Sequence, residues 1–372
     1  MSEEWLEEKL RERQAVGTLR ELTITKNKID FVSNDYLGLA RSSELNKKIT
    51  QRFQSLDHPL NGSTGSRLLA GNSELAEQVE AELSVVFKSE KTLLFSSGYL
   101  ANIAVLSCLP QQGDTILYDE LVHACMHDGM RLSRATRISF LHNNLLDLEK
   151  KIKAAKGKIF IAVESVYSMD GDFCPLKDLT TFADRYGVYL IVDEAHSTGS
   201  YGEKGAGLAV SFNIESKIFA RIYTFGKAMG VHGACVAGSK KLIQFLINHA
   251  RTFIYTTAMS PHSIVSIQGA FEYLHLHPQL QSQLSHKTNF FLEAIKKTGL
   301  QKIESTSAIQ SIMIQGNAEV LAFAKQLQKN GFDCRAIRTP TVKPGAERIR
   351  ICLHEFNSEK EITDLVNCLL RC

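Results

Sequence analysis

Several features of membrane, secreted and nucleic-acid-binding proteins are missing from this 372-residue sequence. No run of about eighteen apolar residues occurs, so we expect no transmembrane helix, and charge from Glu3 onward argues against a secretory signal peptide. The formal net charge is only +3, and no block of about five like charges is found, which argues against nucleic acid and anionic membranes as partners. These absences predict a folded cytoplasmic protein whose partners are small molecules and a second copy of itself.

Paired cysteines are also absent. The eight cysteines are scattered without a C-x-x-C pair, and most of them lie in apolar runs. This pattern indicates buried free thiols, and it offers no clustered ligands for a metal site. No G-x-G-x-x-G follows a predicted strand, which argues against a nicotinamide dehydrogenase.

What is present is a regular alternation of short apolar runs with amphipathic segments. Segments 145–155 and 176–187 space their apolar residues by three or four, and the second of these predicted helices ends at Gly187. Ser73 can cap a further helix over 74–87. The apolar runs are 91–97, 114–119, 137–142, 158–166, 187–195, 221–226 and 233–238. Together they predict an α/β protein with a mainly parallel central sheet and helices on both of its faces.

The pattern changes after about residue 275. Runs at 308–314, 332–338 and 348–353 read as strands, and they alternate with helical segments at 319–330 and 359–370. That order is typical of a small α+β layer. We therefore predict an N-terminal arm (1–44), a large α/β domain (45–275) and a small C-terminal α+β domain (276–372).

Two charged residues stand at the ends of predicted strands. Asp193 closes an apolar run in IVDEAHSTG (191–199), and Lys227 follows another in TFGKAMGVHGA (224–234). Ligands of open α/β sheets bind at such strand ends, and a partly desolvated lysine favours the free amine that Schiff-base chemistry needs. Asp193 could instead cap the next turn, and Lys227 alone could be a surface lysine.

A third element is FSSGYLAN (95–102), in which a predicted strand passes into a helix at Gly98. A glycine at such a turn exposes backbone N–H groups at the positive end of a helix, which suits a phosphate group. The same residues could also form only a turn.

Together these residues are similar to the α-oxoamine synthases, a branch of the fold-type I pyridoxal phosphate enzymes, over nearly the whole chain. The motifs that carry the resemblance are SNDYLGL (33–39), GSTGSRLLAGN (62–72), FSSGYLAN (95–102), DELVHACMHDG (119–129), ESVYSMDGD (164–172), VDEAHSTGSYGEKGAG (192–207), TFGKAMGVHGA (224–234) and FIYTTAMSP (253–261). The resemblance implies a transferase with the fold-type I architecture and pyridoxal 5'-phosphate as its cofactor.

The resemblance also implies roles at individual positions. Lys227 would bind the cofactor and later move protons at the substrate α-carbon, while Asp193 would pair with the pyridinium nitrogen. The other implied cofactor contacts are His196 and Ser168 at the phenolic oxygen, His123 stacked on the ring and near the substrate, Gly98, Tyr99 and Thr224 at the phosphate, and Thr256 from the neighbouring subunit of a homodimer. Lys227, His123, Asp193 and His196 would be the catalytic set, and His127 and His232 have no such context.

Within the family, two C-terminal stretches resemble the branch that condenses L-alanine with a pimeloyl thioester in biotin synthesis. They are AIRTPTVKPGAERIRICL (336–353), where Thr339 replaces a usual proline, and SAIQSIMIQGN (307–317). Arg350 would then hold the amino acid carboxylate and Thr341 would contact the acyl group. Arg20 and Asn34 are further candidates for substrate binding, although Arg20 could equally be a solvated helical arginine.

The expected reaction is a decarboxylative condensation, with the acyl group carried on CoA or on an acyl carrier protein. An alternative within the family is glycine with acetyl-CoA or succinyl-CoA as substrates. A second alternative is a non-catalytic scaffold that binds the cofactor. The four residues of the catalytic set together argue against the scaffold.

Overall fold

A computed structural model describes residues 2–372, which form two compact units. Unit 1 contains the N-terminal residues up to Asn34, Met169–Asp172 and Gln283–Cys372, and unit 2 contains Asp35–Ser168 and Phe173–Ser282. Within the described residues, no helix combines the length and the apolar character needed to cross a membrane.

The elements are numbered in chain order. The helices are α1 Glu4–Ala15, α2 Ser43–Gln54, α3 Glu74–Val86, α4 Gly98–Cys108, α5 Ala124–Leu132, α6 Leu145–Ala154, α7 Leu176–Tyr186, α8 Gly207–Ser211, α9 Lys240–His249, α10 Arg251–Ile254, α11 Pro261–Leu276, α12 Gln279–Lys296, α13 Asn317–Lys329 and α14 Glu359–Leu369. The strands are β1 Ile29–Asp30, β2 Lys91–Phe95, β3 Thr115–Asp119, β4 Thr136–Phe140, β5 Ile159–Glu164, β6 Tyr189–Asp193, β7 Ala220–Thr224, β8 Ala234–Gly238, β9 Ile309–Met313, β10 Phe332–Asp333, β11 Arg335–Ile337 and β12 Arg348–Cys352.

Unit 2 is built on a seven-stranded sheet in the order β2-β8-β7-β6-β5-β3-β4. The pairs from β7 to β4 are parallel, and only β8 runs against its two neighbours. All seven apolar runs predicted as strands lie in this sheet, which confirms the predicted α/β class. Strands β7 and β8 are buried along their whole length, as expected for a sheet covered on both faces.

Local sequence signals set the helix ends in unit 2. The Ser73 hydroxyl accepts a hydrogen bond from the Ala76 N–H and begins α3, as predicted. Helix α7 ends at Gly187, which has a left-handed φ of +62°, and this is the end that the sequence predicted.

Unit 1 carries two small sheets. One is antiparallel in the order β11-β12-β9, and the other is the parallel pair β1 and β10. The predicted single strand 332–338 is therefore divided at the buried Cys334, because its first half pairs with β1 and its second half pairs with β12.

Candidate active site

The carboxyl ends of adjacent parallel strands carry the charged residues of the candidate site. Asp193 is the last residue of β6, and Glu164, the last residue of β5, is its register partner. Lys227 follows β7, the strand on the other side of β6. Because parallel strands end at the same edge of a sheet, the fold gathers one amine and two carboxyl groups there.

Lys227 is the first member of a line of three polar side chains. Its Nζ lies 2.7 Å from Nε2 of His196, and Nδ1 of His196 lies 2.8 Å from the hydroxyl of Tyr36. Lys227 is half-buried, whereas His196 and Tyr36 are almost completely buried. The imidazole therefore lies within hydrogen-bonding distance of both the amine and the phenol, in a site that is largely shielded from solvent.

Asp193 is held by two hydrogen-bond donors. The side-chain amide of Asn102, on α4, donates to Oδ2 at 2.7 Å, and the backbone N–H of Ala195 donates to Oδ1 at 2.8 Å. Both bonds suit an ionised carboxylate, because each oxygen accepts from a fixed N–H group. Asp193 is thus prepared to pair with a cationic ring nitrogen.

Glu164 differs from Asp193 although the two are neighbours. Burial, followed by the charge of Asp193, raises the pKa of Glu164 to about 8. Backbone N–H groups of His123 and Ser168 donate to it, yet its Oε1 has no hydrogen-bond partner within residues 2–372. The sheet edge therefore holds one carboxyl group that favours its neutral form.

His123 is fixed at the start of α5. Its Nδ1 accepts a hydrogen bond from the Cys125 N–H at 3.2 Å, so the ring itself caps the helix. Burial, and then the charge of Lys227, lowers the pKa of His123. A neutral imidazole that accepts at Nδ1 carries its proton on Nε2, which makes Nε2 the donor of this ring.

Gly98 begins α4 and lies directly against Thr224, the last residue of β7. A Cβ atom placed on Gly98 would lie 3.1 Å from Cβ and 3.2 Å from Oγ1 of Thr224. The first N–H groups of a helix have no partners within the helix. A helix start with a threonine hydroxyl beside it is suited to bind a phosphate group.

The remaining predicted cofactor residues occupy different positions in unit 2. Ser168 is buried after β5, and Thr256 is half-buried after α10. The Tyr99 hydroxyl donates to Asp128, so only the backbone of Tyr99 is offered at the start of α4. His127 packs its ring edge against Tyr118, which fits the absence of a predicted role.

Of the five predicted substrate residues, His123 lies in unit 2 and the other four lie in unit 1. Arg350 is buried on β12, and its Nη2 donates to Oδ1 of Asn34 at 3.0 Å, while Nη1 lies 2.9 Å from Sγ of Cys352. Arg20 is exposed and reaches the Thr341 hydroxyl at 3.5 Å. The structure thus pairs Asn34 with Arg350 and Arg20 with Thr341.

Sequence reasoning missed three residues that the structure brings to the site, namely Tyr36, Asn102 and Glu164. All three lie within quoted motifs, and Asn102 is one helical turn after Gly98. A strand-end position could have identified Glu164. The contacts of the other two depend on distant parts of the chain.

The side chains present fit a cofactor that has an aldehyde, a ring nitrogen and a phosphate. Lys227 offers the amine and Asp193 the carboxylate for the ring nitrogen. The start of α4 offers the backbone N–H groups of Gly98 and Tyr99, beside the Thr224 hydroxyl, for an anion, while the Ser97 hydroxyl accepts from the Leu100 N–H. Each functional group of such a cofactor therefore has a suitable partner in unit 2.

Comparisons with known proteins identify the family of this chain. The family model for aminotransferase class I and II matches residues 26–369. The 8-amino-7-oxononanoate synthase of Emericella nidulans is 39% identical over 391 residues, covering 98% of this chain and 94% of that protein. The crystal structure of 8-amino-7-oxononanoate synthase from Francisella tularensis aligns with a TM-score of 0.80 at 28% identity, covering 92% of this chain and 97% of that one. Sphingomonas wittichii serine palmitoyltransferase shares the fold, with a TM-score of 0.90, 23% identity and coverage of 99% and 96%.

Proposed function

The chain belongs to the aminotransferase class I and II family, and from this premise we propose that it is a pyridoxal 5'-phosphate-dependent 8-amino-7-oxononanoate synthase. It is an acyltransferase that condenses L-alanine with a pimeloyl thioester in biotin synthesis, with release of carbon dioxide. It acts as a cytoplasmic homodimer. The observation that carries the proposal is the set Lys227, Asp193, His196 and His123 in one unit of a chain that matches relatives of this activity along almost its whole length.

Pyridoxal 5'-phosphate, when bound, supplies an aldehyde that joins an amine and a ring that accepts an electron pair. Lys227 provides the amine for that aldehyde and afterwards takes and returns the proton at the α-carbon of alanine. Asp193 keeps the ring nitrogen protonated, and Asn102 holds Asp193 for that task. His196 and Ser168 bind the phenolic oxygen, and the start of α4 with Thr224 binds the phosphate.

His123 has a second task besides covering the ring. Its proton lies on Nε2, because Nδ1 caps α5. Nε2 can therefore donate to the thioester carbonyl oxygen as negative charge develops there. Glu164 stays neutral beside Asp193 and adds no second negative charge against the amino acid carboxylate.

Arg350 is the proposed partner of the alanine carboxylate. A buried guanidinium held at two of its nitrogens by Asn34 and Cys352 is oriented before substrate arrives, and guanidinium groups bind carboxylates through two parallel hydrogen bonds. Thr341 and Arg20 are proposed to contact the acyl donor. The donor is carried on CoA or on an acyl carrier protein.

A substrate comparison tests the reaction. Purified protein with the cofactor is mixed with L-alanine plus pimeloyl-CoA, with glycine plus acetyl-CoA, and with glycine plus succinyl-CoA, and free CoA release is measured. We expect release chiefly with alanine and the pimeloyl donor. Preference for either glycine pair would reject the synthase proposed here in favour of another α-oxoamine synthase.

The Lys227→Ala variant separates an enzyme from a scaffold that merely binds the cofactor. We expect the wild-type protein to be yellow and the variant to lose both the visible absorbance band of the bound cofactor and turnover. A wild-type protein that stays colourless after cofactor addition would reject the cofactor assignment. Repeating the alanine assay with a pimeloyl carrier protein, at equal thioester concentration, identifies the preferred donor.

A further inference from the structure

Tyr36 occupies the far end of the polar line that reaches Lys227, and no role has been assigned to it so far. It lies in the segment between β1 and α2, and its hydroxyl is 2.8 Å from Nδ1 of His196. Asp35 anchors this segment, because it accepts from the backbone N–H of Ala40 and forms an ion pair with Arg41. The segment that carries Lys227 packs against the same place at Gly230, where a Cβ atom would lie only 2.3 Å from the Ala40 nitrogen.

The direction of the hydrogen bond between His196 and Tyr36 depends on the protonation state of Lys227. A neutral histidine has one ring nitrogen that donates and one that accepts. When Lys227 is an ammonium ion, it donates to Nε2 of His196, so the ring proton must be on Nδ1 and must be directed at the Tyr36 oxygen. When Lys227 is a free amine, Nε2 carries the proton and donates to Nζ, and the Tyr36 hydroxyl then donates to Nδ1.

A tyrosine hydroxyl serves both arrangements, because it can accept or donate. We propose that Tyr36 is a positioning residue for Lys227, which lets His196 change tautomer as the lysine changes between ammonium ion and free amine. The cofactor reacts only with the free amine. Tyr36 thereby supports both the charged resting lysine and the neutral lysine that binds the aldehyde.

Other charges also act on Lys227, and the test must leave them unchanged. Groups that interact electrostatically with its amine include His123 at the start of α5, Cys125 on the first turn of that helix and Glu164 at the end of β5. Asp193, the register partner of Glu164, lies between β5 and β7. Replacing a neutral phenol by a phenyl ring changes none of these charges.

Tyr36→Phe is the informative substitution. It removes the oxygen that accepts from Nδ1–H, the tautomer that the ammonium form of Lys227 requires. A buried N–H without an acceptor is rarer, and less well tolerated, than a buried acceptor without a donor. The ammonium form therefore loses more stability than the free amine does.

The measurement is the pH dependence of Lys227 methylation by formaldehyde and a borane reductant in cofactor-free protein, followed by mass spectrometry of its peptide. We expect the midpoint of the profile to move to lower pH in Tyr36→Phe by about one pH unit, a tenfold change in the proton equilibrium. Tyr201→Phe removes another tyrosine hydroxyl, that of a half-buried residue whose ring packs against Phe173 instead, and should leave the midpoint unchanged. An unchanged midpoint in Tyr36→Phe, or an equal shift in both variants, would overturn the proposal.

A second measurement uses the unaltered protein. Nitrogen-15 NMR of histidine-labelled, cofactor-free protein, with His196 assigned from the signal lost in His196→Gln, should show the proton on Nδ1 below the methylation midpoint and on Nε2 above it. The same tautomer at both pH values would reject the proposed role. The inference rests on Lys227 being the cofactor amine of the proposed function, but neither experiment uses substrate or cofactor, so failure of the alanine reaction would leave both results interpretable.

Discussion

Glu164 and Asp193 place two carboxyl groups side by side in the interior of unit 2. Two buried carboxylates at such positions do not ionise independently, and the better-solvated or better-bonded one keeps the negative charge. Asp193 has donors on both of its oxygens, whereas Oε1 of Glu164 has none in the part of the chain that the structure describes. At the scale of single residues, the site therefore contains a carboxylate that can pair with the cofactor, Asp193, directly beside a carboxyl group that favours its neutral form, Glu164.

This separation predicts a pH-dependent stability. Folding raises the pKa of Glu164 from its ordinary value of 4.5 to about 8, so the folded protein binds the proton more tightly than the unfolded chain does. Stability contributed by this group is present below pH 4.5 and is lost as the pH rises toward about 8, by at most about 1.4 kcal/mol for each pH unit. Glutamine does not titrate, so the stability of Glu164→Gln relative to wild type should increase over this range.

Urea denaturation of the two cofactor-free proteins, at equal protein concentration and at several pH values, measures that difference. Glu293→Gln, on an exposed position of α12, is the matched control and should follow wild type at every pH. If the Glu164→Gln and wild-type stabilities change in parallel with pH, Glu164 does not hold the extra proton.

At the scale of elements, the approach of two segments around Gly230 determines where Lys227 and Tyr36 lie. Gly230 has φ of +67°, and a Cβ atom there would meet the backbone of Ala40 at 2.3 Å. Gly187, the C-cap of α7, has a similar φ of +62° but has no atom within 4 Å of its Cβ position. The two glycines thus share a left-handed backbone and differ in the space available for a side chain.

Alanine at each glycine separates the two effects. Gly187→Ala should cost only the left-handed backbone, about 1–2 kcal/mol in the free energy of unfolding. Gly230→Ala should cost clearly more, about 3 kcal/mol or above, because backbone atoms must also move apart. It should weaken cofactor binding as well, since Tyr36 and Lys227 lie on the two displaced segments. Urea denaturation and a cofactor titration by absorbance check both effects, and equal losses in the two variants would contradict this account of Gly230.

The elements also explain which features the sequence could reveal. Strands buried along their whole length, such as β7 and β8, leave continuous apolar runs that the sequence reveals. The more exposed edge strand β4 was predictable as well, as were the caps at Ser73 and Gly187. The pairing of β1 with β10 joins two-residue strands from opposite ends of the chain, and such short strands have no local pattern. The division of 332–338 at Cys334 follows from that pairing and was missed for the same reason.

The residues of the candidate site also differ in whether the sequence alone could predict them. Asp193 and Lys227 could be placed from their positions at strand ends, because that inference uses only neighbouring residues. The contact between Tyr36 and His196 spans 160 residues, and that between Asn102 and Asp193 spans 91. Periodicity and motif spacing do not encode which distant side chain supplies a second hydrogen bond, so these positioning residues required the structure.

At the scale of the whole molecule, two adjoining segments of unit 2, one of which carries Thr256, each expose a large apolar side chain. The backbone N–H of Ala258 donates to the carbonyl of Gly65 at 2.9 Å, which joins the segment 62–72 to the segment 255–259. Leu69 on the first segment is 86% exposed, and Tyr255 on the second is 72% exposed. Large exposed apolar side chains on adjoining segments suit a protein interface, which supports the proposed homodimer with Thr256 directed to the partner's phosphate site.

A charge on this surface should therefore affect assembly and cofactor binding together. Leu69→Glu places a carboxylate in the proposed interface, and we expect a shift toward monomer in sedimentation velocity and cofactor binding weakened by about tenfold or more. Leu146→Glu is the matched control, because Leu146 is 73% exposed on α6 and belongs to neither of these two segments, and it should remain dimeric with unchanged affinity. Raising the concentration of Leu69→Glu should restore dimer and cofactor binding in parallel, since both depend on the same contact. A variant that becomes monomeric yet binds the cofactor as tightly as wild type would show that Thr256 does not act across the interface.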